Sequence, residues 1–94
     1  MPREHTLQSF QSIPGVGPSI ARDLWDLGLR TPAQLKRKDP ERLYQQLCRL
    51  RRAHIDRCML YVFRCAHYYA SRTRHDPRLL LWWNWTDEKK KRHT

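Results

Sequence analysis

The chain has 94 residues, of which 39% are hydrophobic and 11% aromatic, and its formal net charge is +10 at pH 7. This length predicts one small domain with a single hydrophobic core, and the composition excludes an intrinsically disordered chain. No apolar run approaches the roughly 20 residues that span a bilayer. The first residues also lack the apolar stretch of a signal peptide, so we expect a cytoplasmic protein with no membrane partner.

Arginine supplies 14 of the 19 basic residues. A guanidinium group binds two phosphate oxygens at once in a bidentate contact and stacks on flat groups. This bias therefore favours nucleic acid as the partner and a nucleoid-associated location. Charge alone also allows a solvated surface, an anionic lipid surface or an acidic protein partner. The three cysteines are an odd number without a C-x-x-C pair, which argues against a disulfide framework and against the usual zinc spacings.

Prolines mark helix starts along the chain. An N-cap residue followed by proline at the first helical position occurs at Thr31-Pro32, Asp39-Pro40 and Asp76-Pro77. Apolar residues at helical spacing predict helices over residues 7–12, 18–27, 32–38, 40–49 and 55–71, and a sixth from residue 77. Gly28 is the predicted stop of the second helix. The fold class is therefore all-α, a compact bundle of five to six short helices. We expect one domain over residues 1–86 and a flexible basic tail over residues 87–94.

A proline- and glycine-rich turn separates the first two predicted helices. Gly15 and Gly17 can adopt positive φ and leave their backbone N–H groups uncovered, while Val16 between them can point into the core. The following helix adds unpaired N–H groups at its positive end. This segment predicts a phosphate cradle made of backbone groups, although such a turn can also serve only to pack two helices together.

The segment 15–22, Gly-Val-Gly-Pro-Ser-Ile-Ala-Arg, resembles the helix-hairpin-helix motif of DNA repair and recombination proteins and is similar to the hairpin of DNA polymerase beta. Residues 28–35 resemble the turn and short helix that follow this motif. The resemblance implies that DNA phosphates are bound by Gly15, Val16, Gly17, Ser19, Ile20 and Arg22. It requires no cofactor, but it allows a Na⁺ or K⁺ ion held by the carbonyls of Gln11, Ile13 and Val16.

Further matching segments extend over nearly the whole chain: Leu43-Tyr44, Asp56-Arg57-Cys58, residues 60–66, residues 68–71, His75-Asp76-Pro77 and residues 82–85. With these segments the chain resembles the bacterial pathogenicity locus family, small helix-hairpin-helix proteins of which some are mitomycin-resistance proteins. The resemblance implies a paired helix-hairpin-helix or SAM-like fold and a link to DNA repair or damage tolerance.

Helix-hairpin-helix units often occur in pairs, and the connection at residues 49–54 is the candidate second hairpin. It contains no glycine, so it cannot copy the backbone cradle. Arg49, Arg51 and Arg52 would instead contact phosphates through their guanidinium groups, with Leu50 as the hydrophobic plug. The alternative interpretation is a solvated loop.

The remaining reactive residues give weaker patterns. Cys48, His54, Cys58 and Cys65 form a conceivable metal site, but burial of the cysteines is favoured. The nine acids are scattered, so we predict no enzyme. The tryptophans of residues 82–85 could stack on bases or form a dimer contact, but core packing is favoured, with Trp82 and Trp83 inward and Trp85 as a lid.

These patterns together predict a DNA-binding module without sequence specificity. It would grip backbone phosphates across the minor groove as a monomer or weak dimer, in DNA repair or tolerance of mitomycin-type damage. A repair protein is a conceivable further partner. The alternative function is a protein-interaction adaptor of SAM-like fold that uses the Trp-rich C-terminal surface.

Overall fold

The computed structural model describes residues 3–88. The four α-helices are α1 (Arg3–Gln11), α2 (Pro18–Asp26), α3 (Pro40–Arg51) and α4 (Cys58–Ser71), and three 3-10 helices span Pro32–Arg37, Pro77–Leu80 and Trp82–Trp85. No strand occurs within the described range, and the predicted all-α bundle is confirmed. Residues 89–94 of the predicted tail lie outside the described residues.

Aspartates start three of these helices. As predicted, Asp39 Oδ1 accepts a hydrogen bond from the Glu41 N–H at 3.0 Å, and Asp76 Oδ1 accepts one from the Arg78 N–H at 2.9 Å. Asp56 does the same for α4, because its Oδ1 accepts the N–H of Cys58 at 2.8 Å. The fourth α-helix therefore begins at Cys58, three residues later than the apolar pattern predicts.

Two of the predicted helices are 3-10 helices. The segment at Pro32–Arg37 ends because Lys38 and Asp39 are extended, and a residue before proline disfavours helical backbone. The segment from Pro77 is interrupted at Leu81, where φ is −97° and ψ is 115°, and this divides it into two short pieces. Segments of this length are too short to propagate an α-helix in isolation.

The core lies around α4, which contacts α3 and all three 3-10 helices, while α1 packs against α2. The apolar pattern of α4 on nearly all sides predicts a central helix, and its buried residues confirm this. The largest fully buried hydrophobic side chains, from all parts of the domain, are Phe10, Ile13, Leu24, Leu29, Leu35, Leu47, Leu60 and Phe63. The hairpin between α1 and α2 is therefore attached to the core through Phe10 and Ile13.

Candidate nucleic-acid interface

The hairpin between α1 and α2 is held from inside by two apolar side chains. Ile13 and Val16 are 1% and 5% exposed. The N–H of Ile13 donates to the Phe10 carbonyl at 3.0 Å, and the N–H of Val16 donates to the Ile13 carbonyl at 3.1 Å. Gly15 has φ of +85°, a conformation that glycine adopts without steric cost. The chain therefore reverses with its side chains inward and its glycines at the surface.

The N-terminus of α2 has no side chain to cap it. Gly17 is the N-cap residue and Pro18 is the first helical residue. The first backbone hydrogen bond runs from the Ala21 N–H to the Gly17 carbonyl at 3.0 Å, so the N–H groups of Ser19 and Ile20 have no partner in the helix. Donors without partners at a positive helix end are the physical requirement for binding an anion.

Within residues 3–88, the hydrogen bonds of the turn also leave the N–H groups of Gly15 and Gly17 unengaged. Val16 differs from its neighbours. Its N–H donates within the turn and its side chain is buried, so Val16 is the hydrophobic anchor of the turn and offers no free donor for the phosphate contact predicted for it. The structure thus brings together four candidate donors, those of Gly15, Gly17, Ser19 and Ile20.

The two glycines of the hairpin have different surroundings. A Cβ at Gly15 would lie 3.4 Å from Cδ1 of Trp82, whereas a Cβ at Gly17 would have no atom within 4 Å. The φ of Gly17 is −94°, which other residues also adopt. Gly15 is therefore constrained by its conformation, and a Cβ there would make ordinary contact with Trp82, while Gly17 borders open space next to the unpaired N–H groups.

Arg22 lies one turn into α2 and is exposed, with no ion pair to any carboxylate of the described chain. The same helix carries carboxylates farther along, at Asp23 and Asp26. The charge of Arg22 is therefore the cationic contribution of α2 nearest to the four N–H donors.

The connection between α3 and α4 is built differently. Arg52 follows the end of α3 with φ of +52° and ψ of 42°. Its N–H donates to the Arg49 carbonyl, and the N–H of Ala53 donates to the Cys48 carbonyl at 3.1 Å, which is a Schellman motif. Gly28 ends α2 in the same way with φ of +93°, as predicted. Arg52 thus adopts the left-handed backbone conformation at the end of α3, where glycine has this role at the end of α2.

Leu50 is 49% exposed, so its prediction as the plug of the second connection is wrong. The half-buried Ile55 packs against the core instead, and its carbonyl accepts a hydrogen bond from the Tyr44 hydroxyl. Leu50 is displaced because α3 continues as a helix to Arg51, which turns this side chain to the outer face of the helix. The signal that identifies Ile55 in the sequence is its position as the apolar residue closest to the start of α4.

The three arginines of the second connection differ in their surroundings. Arg51 bridges Asp23 at 2.8 Å and Asp26 at 2.6 Å in the C-terminal half of α2, and these carboxylates raise its pKa. Arg51, predicted as a phosphate ligand, thus forms an ion pair between helices in this structure. Arg49 and Arg52 are exposed, with no carboxylate partner among residues 3–88.

Asp87 joins the C-terminal segment to α4, which the sequence did not predict. It accepts hydrogen bonds from Arg57 at 2.6 and 3.0 Å and from Arg64 at 2.9 Å. Arg57 and then Arg64 hold the pKa of this carboxyl well below its ordinary value. Arg64 is 4% exposed and also binds Glu41 and the Trp85 carbonyl. Asp87, assigned to the predicted tail, is therefore anchored to the domain.

The C-terminal tryptophans do not all face inward. Trp82 packs against the core, and the Trp85 Nε1 donates to the Leu79 carbonyl at 2.8 Å with its ring 5.5 Å from that of Tyr68. Trp83 is 49% exposed, so its predicted inward position is wrong. In a 3-10 helix residues three apart share a face, so Trp82 and Trp85 lie together and Trp83 lies on another face.

The cysteines follow the favoured prediction in part. Cys65 is buried, and this burial raises its pKa to about 11, whereas Cys58 is exposed and Cys48 is intermediate. Among residues 3–88, no three His, Cys, Asp or Glu side chains are grouped as metal ligands would be. None of the described helices has the length and apolar character needed to cross a membrane.

The comparison with family models matches residues 3–91 to the family described as Cdd1, pathogenicity locus. The chain belongs to the pathogenicity locus family. Comparisons with curated proteins and with solved structures gave no match. The matched residues include both connections and the tryptophans of the C-terminal segment.

Proposed function

We propose that this protein is a non-enzymatic DNA-binding module that holds backbone phosphates without sequence specificity. The observation that carries this proposal is the exposed turn at α2, where the N–H groups of Gly15, Gly17, Ser19 and Ile20 have no partner within the described chain. The net charge of +10 favours a polyanion as the ligand.

In this proposal, phosphate oxygens of one strand accept hydrogen bonds from the four N–H groups, and Arg22 adds a charged contact. Binding spans the minor groove, with Arg49 and Arg52 available to the second strand. Backbone donors and guanidinium groups carry no base information when they contact phosphate, so the binding tolerates any sequence. Neutralising phosphates also releases counterions, so the affinity falls steeply with salt.

The neutral carbonyls of Gln11, Ile13 and Val16 fit a monovalent cation better than a divalent one, because they carry no charge. The Ile13 oxygen accepts the Val16 N–H, and a carbonyl has a second lone pair for an ion. A bound Na⁺ or K⁺ would supply positive charge next to the phosphate. The biological setting that we propose, DNA repair or tolerance of mitomycin-type damage, rests on the family resemblance.

Labelled duplex DNA titrated at increasing salt tests this proposal. Gly17→Val places a branched side chain next to the N–H donors in open space. We expect it to weaken binding by roughly 30- to 100-fold, because it removes charge-assisted hydrogen bonds worth about 1.5–3 kcal/mol each. Gln45→Val on the exposed face of α3 is the matched control. We expect the control to bind like the wild type and both variants to keep the helical circular dichroism.

Equal binding by wild type and Gly17→Val would show that the hairpin is not the site. The second candidate function is a protein-interaction adaptor, which the exposed Leu81 and Trp83 favour. A wild-type protein that binds no duplex below micromolar concentration at low salt, but elutes as a stable dimer on sizing, would favour the adaptor.

A further inference from the structure

We propose that Trp83 stacks on an unpaired base next to the phosphates held by the hairpin. The preferred ligand is then DNA that contains both a duplex and a short single-stranded gap. This inference rests on the proposed function and deepens it, because it names the class of DNA. It starts from the Trp-rich segment. The ring of Trp83 in this segment is exposed, and packing does not explain that exposure.

Trp83 is set apart from the other two tryptophans of its segment by exposure. Trp82 and Trp85 are partly buried, whereas Trp83 is 49% exposed. Its one ring contact in the described chain is with Trp82, at a centroid distance of 5.7 Å and an interplanar angle of 84°. This edge-on contact fixes one side of the indole and leaves ring surface open to solvent.

The position of Trp82 places this surface near the hairpin. The Cδ1 of Trp82 lies 3.4 Å from the position that a Cβ at Gly15 would occupy. Trp82 therefore lies between Gly15 and Trp83. A bound strand can extend from Gly15 to Trp83 within a few nucleotides, because adjacent phosphates of one strand in B-DNA are spaced only about 3.4 Å apart along the helix axis. A strand held at Gly15 thus has bases within reach of Trp83.

An exposed indole selects DNA by the state of its bases. In an intact duplex both faces of each base are already stacked, so insertion of an aromatic ring requires unstacking that costs a few kcal/mol per step. An unpaired base in a gap offers a free face, and stacking on it is indifferent to base identity. The hairpin supplies phosphate contacts to any DNA, and Trp83 adds affinity only where a base is free.

The test compares one short duplex with the same duplex carrying a central gap of a few nucleotides. We expect the wild type to prefer the gapped DNA. Trp83→Ala should lose roughly tenfold in affinity for gapped DNA, in the range of a single stacking contact, and stay within about twofold on the intact duplex. Trp83→Phe keeps an aromatic face and should retain part of the preference.

Leu81→Ala is the matched control, because Leu81 is an exposed apolar neighbour at 38% exposure. We expect it to bind both DNAs like the wild type. The inference is overturned if Trp83→Ala keeps its gap preference, if Leu81→Ala loses as much, or if sizing shows that Trp83→Ala only breaks a dimer. If any of these results occurs while Gly17→Val loses duplex binding, the inference about Trp83 fails but the proposed function stands. Unchanged duplex binding in Gly17→Val overturns the function itself.

Discussion

The two helix connections of this domain occupy corresponding places, between α1 and α2 and between α3 and α4, yet they present different groups. The first connection is anchored by Ile13 and Val16 and exposes glycine backbone with unpaired N–H groups. The second has no glycine and presents arginine side chains. Of these arginines, Arg51 is bound by carboxylates of the same chain, as is Arg57 just after the connection.

This difference shows why a count of charges is a poor guide to a phosphate site. The side chain of an arginine is long and flexible, so its guanidinium group can reach Asp23 or Asp87 as readily as it reaches a ligand. Its charge can then be paired within the protein. A backbone N–H at a helix N-terminus has no such freedom and stays available. We therefore propose the first connection as the main phosphate contact and Arg49 and Arg52 as a supporting one.

The largest expected effect separates the two glycines of the first connection. Gly15→Ser should lower the free energy of unfolding by about 1–2 kcal/mol, because φ is positive there. Gly17→Ser should leave it unchanged or raise it by about 0.3 kcal/mol, since serine is a good N-cap. It should nevertheless weaken DNA binding, because its Oγ accepts an N–H that phosphate would use. Urea denaturation checks stability, and equal losses at both positions would contradict the structure.

The second connection should become more stable when it is made more like the first. Arg52→Gly removes the left-handed strain of a residue with a Cβ and should raise the free energy of unfolding by about 1 kcal/mol. Arg49→Gly, inside α3, should lower it by about 1 kcal/mol, because glycine is a poor helix former. Thermal melts of the two variants should therefore shift in opposite directions. A destabilised Arg52→Gly variant would rule out the Schellman geometry.

The acid end of the stability profile tests whether Asp87 holds Arg57 and Arg64. Because the folded-state pKa of Asp87 is lowered, its contribution is present above the unfolded value of about 3.9 and is lost as the pH falls through the lower folded value. Asp87→Asn should remove this pH dependence and cost up to about 1 kcal/mol at neutral pH, since solvent screens a carboxylate that is nearly half exposed. An Asp87→Asn variant that keeps the wild-type acid profile would contradict these ion pairs.

The smallest expected effect concerns the ion pairs of Arg51. Arg51→Ala should lower the free energy of unfolding by about 0.5 kcal/mol at low salt, and the loss should fade as salt screens the pairs. On DNA it should leave the salt dependence of binding unchanged, whereas Arg49→Ala should reduce the slope by about 1. If Arg51→Ala reduces the slope instead, Arg51 leaves its carboxylates to bind phosphate.

Sequence reasoning succeeded where the signal is local. The caps at Asp39 and Asp76, the stop at Gly28 and the burial of Val16 each depend on residues within one turn of each other, and the structure confirms them. It failed where the exact end or type of a helix decides which way a side chain faces. Leu50 was predicted as a plug and Trp83 as a core residue, but α3 continues past Leu50, and the 3-10 helix turns Trp83 outward.

The sequence by itself determined that this protein is an all-α domain with a glycine hairpin ahead of an uncapped helix, because helical spacing, caps and positive φ are properties of short segments. Only the tertiary structure decided which charges stay available and which aromatic ring is exposed. Asp23, Asp26 and Asp87 reach their arginine partners across 23 to 30 residues of chain. A pairing over such distances is fixed by how the helices pack, and no pattern along the sequence contains it.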